Sequence, residues 1–254
     1  MAKLTDLPEL IFVLSLGTLW LCAWLGANVI GRRHAMSGHE AREDFGVVLA
    51  ASLTLLGLII GFSFSMAISR YDQRKTFEEA EANAVGTEYL RAQLLPGSAP
   101  EQIRQLLRDY LQQRVLFYET RDPAQLSVVD LRTARLQDEL WEAVRVAATT
   151  QPNANTALSV SGMNDVLNSQ GFTQAAWWNR IPTGAWALMM LIAALCNLMV
   201  GYGANRLGSR RVLLFVLPLV VSIAFFLIAD IDSPRGGMIH VRPQNLTSLA
   251  ATLH

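Results

Sequence analysis

Charge is scarce in this sequence. Asp, Glu, Lys and Arg supply 17% of its 254 residues, against roughly 25% in a soluble domain. The deficit is concentrated in four stretches that carry one such residue between them. Lysine is nearly absent, with only Lys3 and Lys75, and the formal net charge is zero. That leaves no basic footprint for nucleic acid. Cysteine is limited to Cys22 and Cys196, both inside apolar runs. No disulfide framework follows from them, and no metal-ligand spacing exists. Also missing are a His-rich metal motif, a nucleophile elbow, a phosphate-binding glycine loop and an intramembrane acid–base pair. The sequence therefore offers no catalytic residue, no metal site and no cofactor, and it does not read as an enzyme.

What it has instead is long apolar runs. Leu7 to Ile30, Phe45 to Ser69, Pro182 to Ala204 and Val212 to Ala229 are free of Lys, Arg, Asp and Glu, save for Glu9 at the start of the first. Each is close to the ~20 residues that cross a bilayer as a helix. The first is too long for a signal-peptide core and lacks a small-residue cleavage site, so it is read as a retained helix. Asn28 and Asn197 are the polar exceptions, and an amide in such a place is expected to bond across to a neighbouring helix. Pro218 is expected to kink the fourth run.

The loop Gly31–Asp44 holds Arg32, Arg33 and Arg42, and the loop Asn205–Arg211 holds Arg206, Arg210 and Arg211. Short Arg-rich loops stay cytoplasmic. This predicts a multi-pass protein of a bacterial inner membrane with its termini and its large intervening domain on the extracytoplasmic side. Arg70, Arg74, Lys75, Arg180, Arg235 and Arg242 flank the opposite ends and argue the other way.

The organisation expected is residues 1–69 as membrane helices one and two, 70–180 as an extramembrane helical domain, 181–231 as helices three and four, and 232–254 as a short tail. The fold class is all-α. No helix breaker follows Ser69 until Leu95-Pro96-Gly97, so the second helix should run on far past the membrane, about 75 Å from Phe45 at 1.5 Å per residue. A helix from about Pro100 repeats Ile103, Leu106, Leu107, Tyr110, Leu111 and Val115 at helical spacing. Another, from Pro123 to Ala148, should bury Leu131, Leu136, Leu140 and Val144. A third covers about Asn155 to Arg180. No alternating strand pattern occurs in the domain, which reads as a helical bundle. Trp177-Trp178 is expected at the water interface, and Met238–Val241 as a brief strand. Asp230 and Asp232 are too few for a calcium site, and the tail is expected to fold back onto the domain.

Three blocks carry a family resemblance. The first is Gly61-Phe62-Ser63-Phe64-Ser65, then Tyr71, then Glu81 through Pro96 (EANAVGTEYLRAQLLP). The second is Asn179-Arg180-Ile181-Pro182 with Trp186, and the third is Asp230-Ile231-Asp232-Ser233-Pro234-Arg235-Gly236-Gly237. Taken together they resemble, in order and over nearly the whole chain, the bacterial bestrophin-like membrane proteins. The resemblance implies an analogy to bestrophins: pentameric anion channels with four spans, a large domain between spans two and three, and a pore lined by span two. It implies a homo-oligomer in a lipid bilayer with inorganic ions as cargo. Bestrophins keep that domain in the cytoplasm, whereas the Arg loops here point outside. The acidic calcium clasp of the animal proteins has no counterpart.

On span two, Gly57, Gly61, Ser65 and Ser69 fall four apart and form one small-residue stripe. Leu58, Phe62 and Met66 form a larger stripe beside it. As ordinary helix packing, both stripes simply meet neighbours. In a channel, the small stripe packs between helices and Phe62, Met66 and Leu58 form an apolar constriction that gates by dewetting. Glu81, Glu88 and Arg91 are expected either as a polar face with a local Glu88–Arg91 pair or as a charged mouth. Gly86 in mid-helix implies a close neighbour. The function this favours is an oligomeric ion channel or pore. The alternative is a non-transporting sensor or assembly module whose helical domain binds a ligand or a partner protein.

Overall fold

The computed structural model describes residues 7–30, 39–204 and 213–253. Of the arginines that set the orientation, only Arg42 falls among them, exposed on its helix. Arg32, Arg33, Arg206, Arg210 and Arg211 lie outside the described residues, as does Val212. The elements are α1 Pro8–Leu25, closed by a π-turn at Gly26–Ile30, then α2 His39–Arg91 with a 3-10 turn at Ala92–Leu94. They continue with α3 Ala99–Glu119, α4 Pro123–Thr150, α5 Ala154–Trp178, α6 Thr183–Ala204, α7 Leu213–Asp232 and α8 Gln244–Thr252. Four helices are long and apolar enough to cross a membrane, and no strand occurs among the described residues. Met238–Val241 is irregular chain, not the strand expected.

The chain divides into two compact units: residues 1–70 with 180–240, and residues 71–179 with 241–254. In the first, α1 packs on α6 and α7. Ile11, Ser15, Leu19 and Ala23 recur every four residues as the buried edge of α1, and Met189, Ala193, Cys196, Asn197 and Gly201 are buried on α6. The two helices cross where both are smallest. A Cβ at Gly201 would collide with the Ala23 carbonyl, and one at Gly26 with the Leu198 carbonyl. Close backbone approach of this kind is how helices gain contact in lipid, where apolar burial drives nothing. The two amides behave otherwise than expected. Asn197 donates to the Ala193 carbonyl (2.7 Å) and Asn28 to the Trp24 carbonyl (3.1 Å), each one turn back on its own helix. That carbonyl is always within reach, whereas a partner on another helix depends on packing. Pro218 lies inside α7.

In the second unit the core is formed by Val85, Tyr89 and Ala92 of α2, Ile103, Leu107, Tyr110, Leu111 and Phe117 of α3, Leu136, Leu140 and Val144 of α4, and Met163, Val166 and Trp177 of α5. Turn chemistry starts the helices. Asp122 accepts from the Ala124 amide (3.0 Å) ahead of α4, with Pro123 in its first turn. Asn153 accepts from Asn155 and Thr156, and Thr156 Oγ1 answers the Asn153 amide, a full capping box. Two expectations fail here. Leu131 is 74% exposed, because α4 buries the stripe Val129, Thr133, Leu136, Leu140 and turns Val128 and Leu131 outward. Trp177 is a core residue, edge-on to Phe117 and Tyr118 at 4.9 and 5.4 Å, and only Trp178 is exposed.

Gly201→Leu is expected to lower the melting temperature of detergent-purified protein by overpacking worth about 1–3 kcal/mol or more. Gly17→Ala, with nothing within 4 Å of the added methyl, should not. Equal melting of both variants would show that the α1–α6 crossing has slack.

Candidate functional site

The candidate site is built on α2, whose two long faces differ in kind. One stripe is buried or half-buried against its own chain: Leu56, Ile60, Ser63, Ala67, Arg70, Arg74, Glu78, Glu81, Val85, Glu88 and Ala92. Its steps are three or four residues, the spacing that keeps one side of a helix facing a partner. Through Ala67 the stripe is apolar or small. Beyond it, Arg74, Glu78, Glu81 and Glu88 occupy the inward positions, all essentially without exposure.

Away from that stripe lie the residues singled out for a pore. Leu58, Phe62 and Met66 are 52%, 64% and 45% exposed. Gly57, Gly61 and Ser65 are exposed beside them, and a Cβ on either glycine would meet nothing within 4 Å. One chain therefore fills neither stripe.

The other three predicted residues sit differently. Glu81 is buried and takes both Arg114, from Nε and Nη2, and the Thr173 hydroxyl (3.0 Å). Arg114 also lies over the Phe117 ring, 4.4 Å from its centroid. Burial alone would lower the Arg114 pKa. The Glu81 carboxylate more than offsets that and holds it above the usual guanidinium range. The same burial, with the Glu81 charge adding to it, raises the Tyr110 and Tyr118 phenols. Glu88 accepts from the Ser159 hydroxyl of α5. Burial pushes its carboxyl up to about 7, with Ser159 and Arg91 pulling down and Asp165 pushing up. Arg91 keeps a quarter of its side chain exposed and pairs with Asp165 at 4.0 Å, not with Glu88. The set is thus not one cluster. Glu81 and Glu88 point into the unit, and Arg91 sits at its edge.

Sequence reasoning missed Glu78. Its carboxylate accepts from the Asn245 amide (2.9 Å), the Leu246 amide (2.9 Å) and Asn245 Nδ2 (2.6 Å). It therefore caps α8, supplying acceptors to N–H groups that open a helix and otherwise lack them. One turn of α8 further on, Leu249 comes within 3.1 Å of where a Gly86 Cβ would stand, which is the close neighbour that Gly86 implied.

The aspartates of the third sequence block divide the same labour in the first unit. Asp232 accepts from the Ile181 amide at 3.2 Å through both oxygens and pairs with Arg70 (3.4 Å) and Arg180 (3.6 Å). Asp230 accepts from the Met238 and Ile239 amides at 2.8 and 2.9 Å. Both carboxylates are thereby committed to protein donors. No group of three or more metal-ligating side chains occurs among the described residues.

Comparison with known proteins converges on one family. The model of the Bestrophin-like domain matches residues 13–246. A bacterial bestrophin homolog from Klebsiella pneumoniae, in a crystal structure carrying a single substitution, is similar with a TM-score of 0.65 and 13% identity. The match covers 95% of this chain and 97% of that one. A second crystal structure of a bacterial bestrophin homolog from the same organism gives 0.63 and 14%, with 95% of each chain covered. At such identity the likeness is one of fold. No curated protein matches the sequence.

Arg114→Met leaves the Glu81 carboxylate buried without its counter-charge, and should cost about 3–5 kcal/mol. The expected readout is a lower denaturation midpoint by circular dichroism. The double change Glu81→Gln with Arg114→Met should recover much of that loss. A double variant no better than the single one would show that the pair's charges are not what holds the site.

Proposed function

The chain belongs to the Bestrophin-like family, and from that premise we propose that it assembles as a homo-oligomeric ion channel in which the outward face of α2 lines the axis. One observation carries this reading. Within its most apolar window, α2 has 6% of residues buried, whereas the other three candidate spans have 33%, 28% and 44%. Lipid alone is served by a uniformly large apolar face. α2 instead sets a shallow small-residue stripe, Gly57–Gly61–Ser65, beside the bulky Leu58–Phe62–Met66. The first favours close approach of a neighbouring helix, and the second suits an apolar constriction that holds water out until it widens. Five copies is the count that the family analogy supplies. The permeant species is a small inorganic ion, and the membrane is the bacterial inner membrane.

The charged mouth expected of Glu81, Glu88 and Arg91 is narrowed by the same reasoning. Arg91 is the member whose partly exposed charge suits an ion path, with Glu81 and Glu88 behind it as scaffold. For the helical domain, the Arg-rich short loops favour the extracytoplasmic side.

Purified protein in liposomes under asymmetric KCl should carry current, and Phe62→Ala should raise it several-fold by removing the widest apolar ring. A conducting wild type with an unaltered Phe62→Ala would move the constriction elsewhere. A silent, compact dimer would favour the sensor or assembly role. For sidedness, a cysteine at Ser98, in protein with Cys22 and Cys196 replaced, should react in intact spheroplasts with an impermeant maleimide. Reaction only after lysis would put the domain in the cytoplasm.

A further inference from the structure

The helical unit contains a buried carboxyl that forms no ion pair within 4.0 Å, its nearest cation, Arg91, standing just beyond that distance. Glu88 is fully buried on α2. Its Oε1 accepts from Ser159, and its Oε2 is buried with no hydrogen-bond donor. Glu81 and Glu78, about two and three turns back along the same stripe, differ in just this respect, because Arg114 and the amides opening α8 take up their oxygens. The α5 backbone lies directly over the group. A Cβ at position 162 would meet Glu88 Oε2 and Arg91 Nη1, so the glycine leaves room for both side-chain ends beside α5.

The charged groups facing Glu88 are few. Arg91 comes from its own helix and Asp165 from α5. Arg91 directs Nη1 to the largely exposed Asp165, which draws its charge outward. α8 approaches this stretch of α2 with an apolar residue, Leu249. An ionised carboxylate in such a place has lost its water and gained one hydroxyl in return, which is a poor exchange. A neutral acid has no such penalty.

We propose that the Glu88 seam is a proton-operated contact between α2 and α5, closed when Glu88 holds its proton and loosened when it loses it. In the closed state the neutral carboxyl sits between Ser159 and Gly162. On ionisation the carboxylate turns toward Arg91 and water, and α5 yields at Gly162. Burial sets the working range, since it lifts the carboxyl from its ordinary 4.5 to about 7. The folded chain then keeps a proton that the unfolded chain has already released. The stability contributed by this group is complete below pH 4.5 and is lost as pH rises through about 7. The inference concerns the helical unit alone and stands whether or not the protein conducts.

The test is the melting temperature of the full-length, detergent-purified protein from about pH 4 to about pH 8. Wild type should lose thermal stability across that range, and Glu88→Gln should hold the acid value throughout. Two variants at the exposed edge should move the midpoint in opposite directions. Asp165→Asn removes a repulsion and shifts it to lower pH, and Arg91→Gln removes an attraction and shifts it to higher pH. An infrared carboxylic-acid band that vanishes over the same range in wild type, and is absent in Glu88→Gln, identifies the group. A flat wild-type profile overturns the proposal, as does a wild-type profile that Glu88→Gln retains. Should Glu88→Gln not fold, midpoints unmoved by Asp165→Asn and Arg91→Gln would overturn it as well.

Discussion

A carboxylate at zero exposure has exchanged water for whatever the protein supplies, and the second unit is arranged around that requirement. Glu81 is answered by Arg114 and Thr173, which ties α2 to α3 and α5 at one point. Glu78 is answered by the N–H groups that open α8. Each solution fixes a helix in register as well as in position, because a bidentate or capping contact tolerates no slide of a full turn. Apolar contacts among Leu107, Leu140 and Val166 supply the burial. The polar pairs decide which of several similar packings is adopted, a specifying role seen for some buried polar groups.

That division also separates what could be read in the sequence from what could not. Four long apolar runs with a single charge among them, Glu9, announce the spans, since few soluble folds tolerate them. The start of α4 at Pro123 was equally plain, and that of α5, expected near Asn155, falls one residue earlier at Ala154. The partners of Glu81 and Glu88 were not, because they lie 33 and 71 positions away and no local rule names them. A faint signal existed. Arg114 falls in step with Ile103, Leu107, Tyr110 and Phe117, so an arginine stands where the pattern calls for an apolar side chain. Likewise α2 keeps its inward spacing past Ala67 while its residues turn polar. Leu131 misled for the opposite reason. α4 has apolar residues on two sides, and periodicity does not say which side faces home.

The two faces of α2 set different demands on the same residues. The inward stripe leaves little freedom, since Arg70, Glu78, Glu81 and Glu88 each have a named partner. The outward stripe of Leu58, Phe62 and Met66 is exposed among the described residues. Substitutions in the two stripes are therefore expected to separate cleanly, the first acting on folding and the second, in the proposed channel, on conduction.

The Glu78–α8 contact has a consequence for how the chain is made. Its two halves are 167 positions apart, and both α6 and α7 lie between them in the chain. At a synthesis rate of about 5–20 residues per second, the carboxylate waits on the order of ten to thirty seconds for the amides that will cover it. During that interval two apolar helices must leave the ribosome before α8 exists. The last step in folding the second unit therefore follows the synthesis of α6 and α7. Completion of the helical unit thus marks the point at which all four candidate spans have been made.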